Sequence, residues 1–233
     1  MSREDGERIA SGAELVGVRL EVAQVERLER FGRLLAERAV PLGMVGRGDA
    51  GRLVERHILD CLRAIPPLRE AEARSVADLG SGAGLPGVVI AIALPGVGVV
   101  LAEARSKRAA FLEMAAVELG LANVAVHASR VEALPGPFDA CTARAFAPPD
   151  RAWALARPLL RPGGHLLLFA GRSWSAERPA RGFEGGEERV IELSASRVPP
   201  ASGDRPRPGS GNRPSTSAGW LESAGPLVMI TRT

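Results

Sequence analysis

Apolar residues between positions 13 and 38 recur at helical spacing. Leu15, Val18, Val22, Val25, Leu28, Phe31, Leu34 and Leu35 form one stripe, which predicts one or two amphipathic helices. The turn-rich stretch PLGMVGRGDAG (41–51) breaks that pattern. Helical spacing returns over LVERHILDCLRAIPPL (53–68), where Leu53, Ile58, Cys61, Leu62 and Ile65 share a side, and the spacing predicts a stop at Pro66-Pro67. From position 75 the period changes. Short apolar runs (SVADL, VGVVLAE, VAVHAS, FDACTARA, HLLLFAG) alternate with helical segments (PGVVIAIAL, SKRAAFLEMAAVELG, PDRAWALARPLL). Such runs predict an α/β fold, a mostly parallel sheet with helices on both faces and right-handed crossovers. ERVIELSAS and PLVMITRT add two strands, which makes seven. Between them, residues 199–219 are dense in Pro, Gly and Ser and read as a mobile loop without a packed core. The expected organisation is a helical extension over 1–70 and a sheet domain over 71–233.

Composition narrows the class. The 233 residues are 45% apolar and 24% charged, ordinary for a globular protein with one sizeable core. No apolar run approaches the roughly 20 residues of a membrane helix, so no membrane partner is expected. The start, MSREDGERIASG, has no apolar leader, which makes the cytoplasm the default compartment. Two cysteines, Cys61 and Cys141, are too few for a disulfide framework or a zinc site, and no metal is expected. Cys141, inside FDACTARAF, reads as a buried thiol. Of the 30 basic residues only Lys107 is lysine. A GC-rich coding sequence would produce that bias without functional meaning. The sequence pI near 9.6 is nonetheless compatible with an RNA partner. An aromatic share of 4% leans toward a monomer.

The chemistry concentrates in VADLGSGAGLPGVVI (76–90), where a strand ends in Asp78 and Gly80, Gly82, Gly84 and Gly87 follow. In open parallel sheets, ligands bind beyond the carboxyl ends of the strands. Glycines there permit close backbone approach, and Pro86 suits the first turn of a following helix. The spacing also fits the dinucleotide pattern G-x-G-x-x-G, a weak signal alone. Three features favour S-adenosylmethionine over NAD. Asp78 is an acid placed to face an amino group, SRVEAL (129–134) supplies an acid where an adenine would lie, and LLRPGGHLLLF (159–169) sets a Pro-Gly-Gly turn before a strong strand. Glu103 closes the second strand and suits ribose hydroxyls with either ligand.

ERHILDC (55–61), ADLGSGAGLPG (77–87), SKRAAFLE (106–113), SRVEAL (129–134) and TARAFAP (142–148) together resemble, in order and spacing, the RsmG (GidB) family of bacterial 16S rRNA guanine-N7 methyltransferases. The match covers residues 13–171. The resemblance implies a class I Rossmann-like methyltransferase fold, S-adenosylmethionine as donor, and a guanine of 16S rRNA or the 30S subunit as acceptor. Gly82 is a cofactor candidate from the glycine cluster itself; carried onto this chain, the resemblance implies cofactor contacts at Gly80, Leu85 and Glu103, with Val131 and Glu132 flanking the adenine. Arg144 would stand beside cofactor and guanine. VPLGMVGRGDAGRL (40–53) departs from the asparagine-leucine pair that many members carry, and no role is assigned there.

Guanine N7 carries a lone pair and no proton, so its in-line attack on a sulfonium methyl needs no general base. Alignment is the main contribution expected of the protein. Arg144 is the residue expected to matter most, holding the base O6 or a phosphate. Arg56, His57, Lys107 and Arg108 are candidate RNA contacts. The plainer alternatives are a structural His57, carboxylates Glu55 and Asp60 paired with nearby arginines, and a solvated Lys107–Arg108 face. Other readings stay open at this stage: another RNA, a protein or a small molecule as acceptor, a non-catalytic RNA-binding module, or an NAD-dependent oxidoreductase.

Overall fold

Five residues, Ser75–Leu79, form the central strand β1, and all but the first are buried. Around it lie β2 (Gly98–Ala102), β3 (Val124–His127), β4 (Phe138–Arg144), β5 (Leu160–Phe169), β6 (Gly186–Ile191) and β7 (Leu227–Arg232). The computed structural model describes residues 3–171, 174, 182–191, 220–221 and 224–233; the 199–219 loop expectation lies outside the described residues. The strand order is β3-β2-β1-β4-β5-β7-β6. β1 to β5 run parallel, and β7 is antiparallel to both β5 and β6. The chain winds outward from β1 through β3 and then returns to β4 beside β1. That reversal opens a crevice at the carboxyl ends of β1 and β4. At the opposite end Asp139 fixes the pair: its Oδ2 accepts from the backbone N–H of Arg74 (2.8 Å) and Ser75 (2.9 Å) and from the Ser75 hydroxyl (3.0 Å).

The helices are α1 (Arg3–Leu15), α2 (Val22–Leu34), α3 (Asp60–Leu62), α4 (Ile65–Glu70), α5 (Gly87–Ala93), α6 (Ser106–Leu119) and α7 (Pro149–Ala156). Helix α2 runs on into a π-turn at Leu35–Ala39, and a second π-turn, Val54–Leu59, leads into α3. Three features differ from the sequence expectation. α1 begins well before position 13, and its buried face is narrow: Gly6, Ile9, Gly12 and Ala13. Pro66 and Pro67 open α4 instead of ending a helix, since proline lacks only an N–H that a first turn leaves unbonded anyway. The Pro-Gly-Gly segment lies inside β5, where the register against β4 shifts between Phe138 and Ala140.

Every residue of α5 is buried, as befits a helix apolar all round. One continuous core joins it to the N-terminal helices: Ile9, Leu28, Phe31, Ile58 and Leu62 pack in the same cluster as Ile90, Ile92 and Leu101. On the other face Trp153 and Ala156 of α7 cover Leu166, Val228 and Ile230. Among the described residues no helix is long and apolar enough to cross a membrane.

Gly87 starts α5 where a Cβ would lie 2.3 Å from Leu101 Cδ2 and 2.9 Å from Asp78 Cβ. Gly87→Ala should therefore destabilise the fold by about 1–3 kcal/mol, read as a lower urea midpoint at unchanged slope. An unchanged midpoint would show that the helix can withdraw from the sheet at no cost.

Candidate active site

The glycine turn leaves β1 with Gly80, Gly82 and Gly84 all at positive φ (67°, 55° and 87°). A side chain at Gly80 would also meet the ring of Phe146, whose Cδ2 stands 2.4 Å from the Cβ position. Two carboxylates hold the turn. Glu103, at the end of β2 and only 6% exposed, accepts the Gly82 N–H on Oε2 (3.0 Å) and the Arg105 N–H on Oε1 (2.8 Å). Asp78 lies beneath: Oδ2 accepts the Gly87 N–H (3.2 Å) and Oδ1 the Thr142 hydroxyl (2.8 Å).

This corrects the expectation for Asp78. It is 1% exposed, and both oxygens serve the chain's own donors, so it supports the turn from below and does not face the crevice. Burial pushes its carboxyl up to about 6, against the pull of the hydrogen bonds from Thr142 and Gly87. Leu85 belongs to the core cluster instead of the crevice wall. Gly87, which is not among the positive-φ glycines, is required by packing against Leu101 and Asp78.

Over the turn lies a crevice of about 610 Å³, within the range of small-ligand sites. Gly80, Glu103, Arg108, Val131 and Glu132 of the expected set line it. Gly82 reaches it through its bond to Glu103. Phe146 also lines it, as do Arg105, Arg130 and Arg151; sequence spacing did not single these out, although Phe146 lies in the TARAFAP segment two residues after Arg144. Lys107 is exposed and lines neither this crevice nor its neighbour.

Arg144 ends β4 on the far side of a partition. Ala145 and Ala147 line both the crevice and a second cavity of about 510 Å³, into which Arg144, Arg56, Asp60 and Arg63 face. Ala145 itself is a non-glycine residue at φ 50°, an uncommon backbone state that clusters at functional sites. Arg144 is firmly held. Its Nη2 donates to the Arg56 carbonyl (2.8 Å) and lies 3.1 Å from His57 Nδ1, while Nε stands 3.4 Å from Asp60 Oδ2. Asp60 Oδ1 in turn accepts from Arg63 (2.7 Å).

The structure makes His57 a hydrogen-bonding partner of Arg144, the plainer of its two readings. Its side chain is 12% exposed and backs Arg144. Burial, reinforced by the Arg144 charge, lowers its pKa to about 4. Because Arg144 is always a donor, the neutral ring accepts at Nδ1 and carries its proton on Nε2. That nitrogen lies 3.3 Å from Asp49 Oδ2, close enough for attraction although not aligned as a hydrogen bond. Asp49 also pairs with Arg56 at 2.9 Å, so the segment 40–53, given no role from sequence, braces the cluster. Glu55 pairs with Arg8, as the plainer reading of the carboxylates expected. Cys61 and Cys141 are buried and free; burial pushes the Cys61 thiol up to about 12. Among the described residues no cluster could hold a metal ion.

Residues 24–194 match the family described as rRNA small subunit methyltransferase G. Three relatives carry the name ribosomal RNA small subunit methyltransferase G. The protein from Nocardioides sp. is 46% identical over 160 residues, covering 67% of this chain and 62% of its own length. Those from Ralstonia nicotianae and Sorangium cellulosum are each 37% identical, covering 72% and 83% of this chain and 79% and 82% of their own. Among solved structures, an O-methyltransferase from Bacillus cereus superposes with a TM-score of 0.56 at 16% identity, over 89% of this chain and 91% of that one. TomG from Streptomyces achromogenes gives 0.53 at 16%, over 89% and 90%. These two likenesses establish the class I methyltransferase fold and nothing finer.

Because the folded state resists protonating His57, that residue's contribution is whole above pH 6.5 and is lost as pH falls toward 4. A His57→Gln variant has no such titration. Between pH 7 and 4 the stability difference should move by about 3 kcal/mol in the variant's favour, measured by urea denaturation. A difference independent of pH would remove the buried neutral imidazole.

Proposed function

We propose, from the premise that this chain belongs to the rRNA small subunit methyltransferase G family, that it transfers a methyl group from S-adenosylmethionine to N7 of a guanine in 16S rRNA. The observation that carries this reading is the pair of cavities meeting at Ala145 and Ala147. One is sized for a nucleoside cofactor and the other carries arginine donors.

The residues of the crevice fit the donor. The turn brings bare main chain at Gly80 to the crevice wall. Each Glu103 oxygen accepts one backbone N–H and retains a lone pair suited to a ribose hydroxyl. Val131, 6% exposed, offers an apolar surface for an adenine face, with Glu132 beside it. When bound, the cofactor supplies a methyl group made electrophilic by its sulfonium. Arg144 acts from the partition: its position across the boundary suits a grip on the acceptor base that aligns N7 with that methyl. The guanidinium is already immobilised before substrate arrives, so little orientational freedom remains to be lost. Arg105, Arg108, Arg130 and Arg151 around the crevice supply cations for rRNA phosphates.

Three measurements test the reading. Nuclease mapping of 7-methylguanosine in 16S rRNA should find one modified site in cells carrying the gene and none without it; identical maps would end the proposal. Arg144→Ala should lower methyl transfer by about 100-fold or more, the scale of losing a preorganised donor, with cofactor binding intact. Glu103→Ala, which frees two backbone N–H groups and removes the ribose partner, should weaken S-adenosylmethionine binding by about tenfold or more in a calorimetric titration. Wild-type affinity in that variant would place the ribose elsewhere.

A further inference from the structure

The second cavity orders its polar groups in a way that distinguishes bases. The lining sets the Arg144 cation, the chain neighbour of the boundary residue Ala145, beside the Asp60 carboxylate, with Nε and Oδ2 3.4 Å apart. Arg144 has five N–H donors. Both on Nη2 are engaged by the Arg56 carbonyl and His57, the one on Nε faces Asp60, and Nη1 meets only the weakly accepting Cys61 Sγ at 3.9 Å. One strong donor is left for a ligand. Asp60, with its side chain 16% exposed, accepts one bond from Arg63 and faces Arg144. Its remaining lone pairs make it an acceptor, since a carboxylate takes about four bonds.

A purine whose N7 points at the boundary offers its next groups to these residues in sequence. Guanine presents O6, an acceptor, and then N1–H and the N2 amine, both donors. Adenine presents the reverse, a donor amine followed by the N1 acceptor, and would set donor against Arg144 and acceptor against Asp60. The flat faces of Phe169 and Trp220, which also line the cavity, suit a base taken out of its stack.

We propose that Asp60 is the specificity-determining residue, reading the N1–H and N2 amine of the extruded guanine while Arg144 holds O6. This inference rests on the methyl transfer proposed above. It differs from that reading in assigning the choice of base to a carboxylate on α3 of the N-terminal helices.

The test uses the full chain with 30S subunits reconstituted from 16S rRNA that carries guanine or inosine at the mapped acceptor position. Inosine keeps N7, O6 and N1–H and lacks only the N2 amine. Wild type should prefer guanine by about 10- to 100-fold in kcat/KM, the scale of one hydrogen bond to a charged acceptor. Asp60→Asn should cut that preference to about threefold or less, because an uncharged amide discriminates weakly. Glu55→Gln, on the same cavity wall, should keep the wild-type preference. A positional disturbance by Asp60→Asn would slow both substrates alike and leave the ratio intact, so an unchanged ratio overturns the assignment. Equal rates for guanine and inosine in wild type overturn it without any variant, and a ratio lost in Glu55→Gln gives the role to Glu55 instead. Absent transfer to guanine in wild type would end the proposed activity and this inference together; brisk transfer with no base preference ends this inference alone.

Discussion

Two carboxylates at the ends of neighbouring strands grip the glycine turn from opposite sides, and the rest of the site depends on that grip. Asp78 takes the Gly87 N–H from beneath and Glu103 takes the Gly82 N–H from the crevice side. Between these two points the chain passes through left-handed conformations at Gly82 and Gly84. The arrangement spends a buried charge: Asp78 loses its hydration, which raises its pKa to about 6. Hydrogen bonds from Thr142 and Gly87 offset part of that cost. The resulting turn has a fixed outline, so the crevice is shaped before any ligand enters it.

The second dependency runs through the N-terminal helices. Arg144 belongs to the sheet, yet its partners come from the π-turn Val54–Leu59 and from α3. A π-turn widens the helix locally and is frequent at functional sites. Here it brings the Arg56 carbonyl, the His57 ring and the Asp60 carboxylate to one guanidinium. Since the same helices share their core with α5, the position of the cation is coupled to packing on the sheet's helical face. Mutations in that apolar layer therefore act on the site without touching it.

The central strands were legible in the sequence because they are buried on both faces: SVADL is β1, residue for residue. The order of the last two strands and the antiparallel pairing of β7 rest on long-range contacts that no local pattern encodes. The glycine turn was equally legible, but the direction of Asp78 was not. A strand's pleat sends successive side chains to opposite faces, and the direction of Asp78 is settled by partners outside its strand, the Thr142 hydroxyl and the Gly87 N–H. His57 shows the same limit. Its identity suggested contact with a charged partner, and the structure supplies one, but the partner is Arg144. Helix α1 escaped periodicity because its buried stripe amounts to little more than Ile9, Ala13 and the glycine at position 12, whose missing side chain leaves room for Leu59.

β7 fills the gap between β5 and β6, although it is last of the strands in chain order. Without residues 227–232 that side of β5 would be a bare row of backbone donors and acceptors. An unpaired edge of that kind invites association with other chains. A chain cut short before β7 would therefore keep its sheet unsealed along that side of β5.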